Sequence, residues 1–316
     1  MTIPLRIAYA GTPEFAVPAL QRIAASSNQL MCVITQPDRP SGRGRKLAES
    51  AVKAAAKHTQ TAIFQPENIN HPNSLEYLAS LQLDVMVVAA YGQLFKQELL
   101  SLPGLGCINI HASLLPRWRG ASPIQHAILH GDESSGVTIM QMAQAMDAGD
   151  IWMQQSCAID AQDTAQSLHD RLAIAGAELI LPALARLASH DYQAHAQASA
   201  AVSYCSKLHK TDGLIDWSQP GQAIDRQIRA FFPWPRAYTF LTGKRLGILS
   251  AQLVEQEQTY QRAGEIIATD KLGVDVATPK GVIRLQRLVP EGGRAVSAYE
   301  FSHAHSLLGA VLGDQP

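Results

Sequence analysis

The sequence predicts an α/β protein: an N-terminal, Rossmann-like, mostly parallel sheet domain followed by a second, smaller C-terminal β-barrel domain of the OB-like kind. Three observations predict it. Up to about residue 189, short apolar runs alternate with segments of helical periodicity. Beyond residue 206 the texture changes to short strands separated by glycine turns. The 316 residues also exceed the roughly 100–200 that one domain usually holds. The expected boundaries are 1–189 for the first domain, 190–206 for a linker and 207–316 for the second.

The elements follow in order. LRIAYAG (5–11), LMCVITQ (30–36), DVMVVAAYG (84–92) and CINIH (107–111) are continuous apolar runs, the pattern of strands covered on both faces by crossover helices. FAVPALQRIAAS (15–26) is the first of those helices. VTIMQMAQAMDAGDIWMQQS (137–156) reads as two strands around a polar turn, and TAQSLHDRLAIAGAELILPALARLA (164–188) as a long covering helix with apolar residues at helical spacing. DYQAHAQASAAVSYCS loosens into linker texture. Strand patterns then recur in AYTFLTGKRLGILSAQLV, AGEIIATD, LGVDVATPKGVIRLQRLVP and EGGRAVSAYEF, as in a small antiparallel barrel with a helix near its end. In FFPWP (231–235) the prolines around apolar rings predict a structural role for Phe231 and Trp234.

Composition narrows the function classes. Hydrophobic residues are 47% and charged residues 17%, and no run approaches the roughly 18 uninterrupted apolar residues of a membrane span, so a soluble chain is expected. MTIPLRIAYAG lacks the pattern of a secretory signal, which predicts a cytoplasmic location. Cys32, Cys107, Cys157 and Cys205 form no C-x-x-C pair, so neither a disulfide framework nor a metal site is expected, and each is predicted to be buried. AGTPEF, after the first strand, lacks the G-x-G-x-x-G that admits a pyrophosphate, which argues against a nicotinamide or flavin cofactor.

A net charge of −1 excludes a surface coated in positive charge, so any nucleic-acid contact must be local. PDRPSGRGRK (37–46) is such a cluster: Arg39, Arg43, Arg45 and Lys46 stand against the single acid Asp38. Its prolines and glycines cannot sustain a helix or a central strand. Lys and Arg number thirteen on each side of residue 206, while acids fall sixteen and eleven, giving −3 and +2. The second domain can therefore face an anionic partner.

Asn109 and His111 stand two apart on a strand, so both project from one face while Ile108 and Ile110 pack into the other. His111 is the last residue before the SLLPRWRG loop, at the carboxyl edge where open parallel sheets bind ligands. Asp147, with Asp150 as competitor, lies in the polar turn AMDAGD. A carboxylate beside His111 would orient the ring, favour the imidazolium and let the other ring nitrogen donate toward a developing oxyanion. No serine or cysteine occupies a nucleophile elbow, and Ser113 shares the face of His111 only if the strand continues. Direct transfer of an acyl-like group to an external nucleophile is the chemistry that fits.

HASLLPRWRGASPIQHAI with GVTIMQMAQAMDAGDI resembles the signature of the tetrahydrofolate-dependent formyltransferases. With TQPDRPSGRGRKL and IRAFFPWPRAY, the resemblance narrows to the members that act on methionyl-tRNA and extends over essentially the whole chain. It implies 10-formyltetrahydrofolate as donor, the α-amino group of initiator methionyl-tRNA as acceptor, no metal, no membrane and a monomer. It also implies that Asn109, His111 and Asp147 are the catalytic set. Ser113, Leu114, Leu115 and Pro116 become a wall of the folate site, and Arg39, Arg43, Arg45 and Lys46 a loop entering the tRNA acceptor end, with Arg43 foremost. Ala112 and MAQAMDAGD depart from the family pattern without removing a polar role. The competing expectations are a formyltransferase for a glycinamide ribonucleotide or a nucleotide-linked amino sugar, and, from another class, a noncatalytic RNA-binding module.

Overall fold

The computed structural model describes residues 4–41, 46–189, 193–255 and 258–313. It divides into two compact units. One comprises residues 1–123, 134–158 and 169–205, and the other residues 124–133, 159–168 and 206–316.

In the first unit the strands are β1 (Arg6–Gly11), β2 (Gln29–Ile34), β3 (Arg39–Ser41), β4 (Lys46–Ala48), β5 (Ile63–Phe64), β6 (Val85–Ala89), β7 (Cys107–His111), β8 (Arg119–Gly120), β9 (Ser134–Gln141), β10 (Ile151–Ala158) and β11 (Tyr204–Cys205). The helices through this stretch are α1 (Val17–Ala24), α2 (Ala51–Ala56), α3 (Pro72–Ser80), α4 (Gln97–Leu100), α5 (Pro123–Leu129) and α6 (Ala165–Ser189). The main sheet has seven strands in the order β10-β9-β7-β6-β1-β2-β5. From β7 to β5 the pairings are parallel, and β9 and β10 add antiparallel strands at the edge. Every residue of β6 is buried, as expected of a strand covered on both faces.

Local chemistry sets the helix starts. Pro18 occupies the first turn of α1, where its missing N–H costs nothing. Ser50 caps α2 by accepting from Lys53 N at 3.0 Å. The helix α6 is long and apolar enough, by length and composition alone, to cross a membrane, although Asp170, Arg171, Glu178 and Arg186 interrupt its apolar residues, as expected. Many of its apolar residues are packed, although Ile174 is exposed. Leu168, Leu172, Ile180 and Leu184 are buried, and at Gly176 an added Cβ would stand 2.8 Å from Ile110 Cγ2.

The segment 193–205, expected as linker, is tied into the first unit. His195 exchanges both backbone hydrogen bonds with Ile151, and β11 pairs in parallel with β8. Within and just after the cluster at 37–46, β3 (Arg39–Ser41) pairs antiparallel with β4 (Lys46–Ala48) as a separate two-stranded sheet. Arg43 and Arg45 lie outside the described residues. Cys32, Cys107 and Cys205 are buried, whereas Cys157, on edge strand β10, is half-exposed.

The second unit contains α7 (Gly221–Ala230), β12 (Tyr238–Leu241), β13 (Lys244–Glu255), β14 (Ile266–Asp270), β15 (Gly273–Ala277), β16 (Val282–Pro290), β17 (Val296–Ser297) and α8 (Ala298–Ala304). Its antiparallel sheet runs β12-β13-β16-β15-β14, with β17 on β16. The gap between the outer strands is bridged by the segment that follows α8. Gly309 N donates to Ile266 O and Leu312 N to Gly264 O beside β14, while Gly313 N donates to Phe240 O on β12. Trp217, Ile224, Ile228, Ile248, Ile283 and Phe301 fill the core. Ser297 and Glu300 form a capping box that starts α8. Phe231 is buried, but Trp234 is 48% exposed.

Candidate active site

The strand β7 continues through His111, in register with Val88 on β6 at Asn109 and with Met140 and Thr138 on β9 at Asn109 and His111. Asn109 and His111 therefore share one face of the sheet, and Ile110 faces α6 on the other. The His111 ring is buried, with 6% of its side chain exposed, while Asn109 is half-buried. The Asn109 amide makes no side-chain hydrogen bond among the described residues.

Two backbone turns bring partners to the ring. Trp118 adopts a positive φ of 62°, and its carbonyl accepts a hydrogen bond from His111 Nε2 at 3.0 Å. Asp147, at φ 50°, sets Oδ2 3.8 Å from His111 Nδ1. That separation is beyond hydrogen-bond reach, so the pair interacts by charge or through a group held between them. Asp147 Oδ2 also accepts from Gly120 N at 2.8 Å. Gly120 itself has φ 119° and lies so close to β11 that a Cβ would stand 2.3 Å from Cys205 O. Only glycine suits that position. Asp150 is exposed, and the hydrogen bond in which it pairs with Gln141 uses its backbone carbonyl.

The predicted trio is thus brought together, with one correction. Asp147 was expected to orient the ring through one nitrogen and leave the other free for an oxyanion. Instead, Trp118 O orients the ring through Nε2, and the carboxylate shares the Nδ1 side. The cause is the tight 112–120 turn, which folds the Trp118 carbonyl back onto β7.

The 113–116 segment is built into the sheet edge. Ser113 is buried and its hydroxyl donates to Arg117 O at 2.6 Å. Thr138, opposite His111, donates to Ser113 O at 2.6 Å and accepts from Leu115 N at 3.1 Å. Leu115 is buried, whereas Leu114 and Pro116 are half-exposed. Gln154 Nε2 completes the turn by donating to Leu115 O at 2.9 Å.

The basic hairpin leaves the same carboxyl edge from β2, three strands from β7 in the sheet order. At about 4.8 Å per strand that is roughly 14 Å. Asp38 anchors its base, accepting from Lys53 Nζ at 2.6 Å and Gln65 Nε2 at 2.9 Å, and these donors hold its carboxyl below the ordinary range. Arg39 is exposed and lies 3.5 Å from Glu67; Lys46 belongs to β4.

Sequence reasoning missed Trp118, Gly120 and Thr138. Thr138 had a signal, as a hydroxyl within the apolar run Val137–Met140. The others act through backbone atoms or across long separations, for which residue type gives no sign.

Residues 5–184 match the family described as formyl transferase, and residues 207–306 match the formyl transferase C-terminal domain. The methionyl-tRNA formyltransferase of Coxiella burnetii (strain RSA 331 / Henzerling II) is 44% identical over 301 residues, 95% of this chain and 96% of that protein. That of Methylococcus capsulatus (strain ATCC 33009 / NCIMB 11132 / Bath) is 45% identical over 309 residues, 98% and 100% of the two chains. Among solved structures, the N-formyltransferase from Helicobacter canadensis in complex with folinic acid and dTDP-3-aminofucose aligns with a TM-score of 0.68 at 19% identity, covering 89% of this chain and 99% of that one. HypX from Aquifex aeolicus in complex with tetrahydrofolic acid aligns with a TM-score of 0.65 at 16% identity, covering 95% of this chain and 47% of HypX, so this chain spans about half of it. Those two likenesses bear on the fold alone. With both family models matched along the chain and near-full-length identity above 40%, the chain belongs to the methionyl-tRNA formyltransferase family.

Proposed function

We propose that Asn109, His111 and Asp147 carry the reaction by which this enzyme moves a formyl group from 10-formyltetrahydrofolate to the α-amino group of initiator methionyl-tRNA. The observation that carries the reading is the convergence, at one sheet edge, of an unspent amide, a buried imidazole and a carboxylate 3.8 Å from it. These residues fit a formyl donor, since a half-buried amide without a partner is suited to a carbonyl oxygen.

The donor supplies a one-carbon carbonyl whose bond to the folate nitrogen breaks as a bond to the amine nitrogen forms. Asn109 donates its N–H to the carbonyl oxygen as negative charge develops, and removing one such preorganised donor costs about 2.7–4 kcal/mol of barrier. The α-amino group, with a pKa of about 7.7–8.0, is partly neutral near pH 7 and needs little activation. Asp147 accepts the proton that the amine loses, and His111 Nδ1 lies on the same side to share it. The proton ends on the folate nitrogen that leaves. Trp118 O holds the ring in place throughout.

Ser113, Leu114, Leu115 and Pro116 are assigned to the wall of the folate site, with the half-exposed Leu114 and Pro116 as its accessible members. Arg39, Arg43, Arg45 and Lys46 are assigned to the tRNA acceptor end, supported by the hairpin's origin on the same edge as His111. The domain boundaries at 189 and 206–207, a cytoplasmic location, a monomeric state and independence of membranes complete the reading.

The test is formyl transfer to charged initiator and elongator methionine tRNAs by the wild type and by Asn109→Ala, His111→Ala, Asp147→Ala and Arg43→Ala. The first three are expected to lower kcat about 10²–10³-fold or more. Arg43→Ala is expected to raise KM for tRNA while folate binding holds. Wild-type kcat in Asn109→Ala or Asp147→Ala would overturn the assignment.

A further inference from the structure

Asp147 holds its carboxylate toward His111 from a left-handed backbone conformation, φ 50°, that a non-glycine residue adopts only when its surroundings compel it. The compelling contacts come from fifty residues further along the chain. Gln197 Nε2 donates to Asp147 O at 2.9 Å and to Gly149 O at 2.7 Å, so both amide hydrogens clamp the turn on either side of Ala148. Gln197 Oε1 accepts from Arg119 Nε at 3.0 Å and from Arg119 Nη2 at 2.7 Å. All four hydrogen-bonding positions of this amide are thereby used.

Arg119 is buried, and its neighbour Gly120 donates to the Asp147 carboxylate. A closed ring follows: Asp147 to Gly120, along the chain to Arg119, across to Gln197, and back to Asp147. The ring fixes the carboxylate and its own backbone together. The flanking contacts act on the other partner of His111. Ser203 Oγ accepts from Trp118 N at 3.0 Å and Ser203 O from Arg119 N at 2.9 Å, which secures the turn carrying the Trp118 carbonyl.

We propose that Gln197 is a positioning residue for formyl transfer, acting through Asp147 by locking the 147–149 turn to the Arg119 guanidinium. The proposal rests on the reading that Asp147 serves the chemistry. Gln197 touches neither substrate in this role, so its removal is expected in kcat rather than in KM.

The experiment measures kcat and KM for both substrates, with single-turnover rates, in wild type, Gln197→Ala, Gln197→Glu, Asp147→Ala and the double variant Gln197→Ala/Asp147→Ala. Thermal unfolding is recorded for each. Gln197→Ala is expected to lower kcat about 10- to 100-fold, the cost of a displacement near 1 Å in a catalytic group. Gln197→Glu keeps its acceptors for Arg119 but sets an oxygen against the carbonyls of Asp147 and Gly149, so it is expected to behave as the alanine variant does. In the Asp147→Ala background the Gln197 substitution is expected to cost nothing more, because the group it positions is gone.

Full multiplication of the two losses in the double variant would overturn the proposal. So would wild-type kcat in Gln197→Ala, or a kcat loss that vanishes below the variant's unfolding range. If Asp147→Ala itself turns over normally, the reading of Asp147 falls and the proposal falls with it. If Asp147→Ala is impaired and Gln197→Ala is not, only the proposal falls.

Discussion

His111 Nε2 donates to the Trp118 carbonyl at 3.0 Å, and this one bond decides which ring nitrogen is left without a backbone partner. A carbonyl only accepts, so Nε2 carries a hydrogen and Nδ1 is the nitrogen turned toward Asp147. Asparagine at 111 sets its amide near the position of Nδ1, and glutamine sets its amide near that of Nε2. His111→Asn is therefore expected to retain more kcat than His111→Gln, while His111→Gln, which can keep the bond to Trp118, is expected to unfold at the higher temperature. The reverse order in kcat would place the working nitrogen at Nε2.

Gly120→Ala concentrates two penalties at one position. The residue has φ 119°, and a Cβ would lie 2.3 Å from the backbone oxygen of Cys205, which cannot rotate away. The N–H that binds Asp147 must move with it. Loss of kcat by about tenfold or more is expected, consistent with displacement of a preorganised group. Kinetics and a melting curve on the same preparation check it.

The cysteines should divide by burial. Desolvation pushes the Cys32 and Cys107 thiols up to about 12 and Cys205 up to about 11, so almost no thiolate forms at them near neutral pH. A thiol reagent at pH 7.5 is expected to modify Cys157 first, with the other three reacting only after denaturant is added. Mass mapping of the labelled peptides reads the order, and early labelling of Cys107 would contradict the burial of β7.

Asp38 gives a pH signature at the base of the basic hairpin. Its folded pKa is lowered by the bonds from Lys53 and Gln65. A carboxylate of this kind stabilises the fold above its unfolded pKa of about 3.9 and loses that contribution as pH falls through the lower, folded value. Asp38→Asn is expected to melt below wild type at pH 6, with the difference closing below pH 4. A constant difference across that range would show that the ion pair contributes nothing.

Gly176 lets α6 approach β7 closely. A Cβ there would meet Ile110 Cγ2 at 2.8 Å, and Val137 Cγ1 lies 3.6 Å away. Gly176→Val adds branched bulk to that contact, so an overpacking loss of about 1–3 kcal/mol is expected from denaturant unfolding. Because Ile110 sits between Asn109 and His111, kcat is expected to fall as well.

Much of this was legible in the sequence where a period-2 or period-3.6 pattern met burial. The strands at β1 and β6 declared themselves by apolar runs, and the placement of Asn109 and His111 on one face followed from the alternation within CINIH. The apolarity of 164–188 was legible as a covering helix, its apolar positions recurring between His169, Asp170, Arg171, Glu178 and Arg186. Residues 193–205 were unreadable for a different reason. Their attachments run through backbone groups of Ile151, Pro116 and Arg119 and through a single amide, and such contacts leave no periodicity. The Trp118 carbonyl escaped likewise, since every residue carries one.

Alternation within β7 also constrains its length more tightly than its composition. Inserting or deleting one residue between Asn109 and His111 would set the amide and the imidazole on opposite faces of the strand, turning one of them toward the layer beneath α6. Conservative swaps at Ile108 or Ile110 leave the chemistry facing outward, but a change of one in the residue count does not. On the assignment proposed for Asn109 and His111, the spacing of the chain in this stretch matters as much as its side chains.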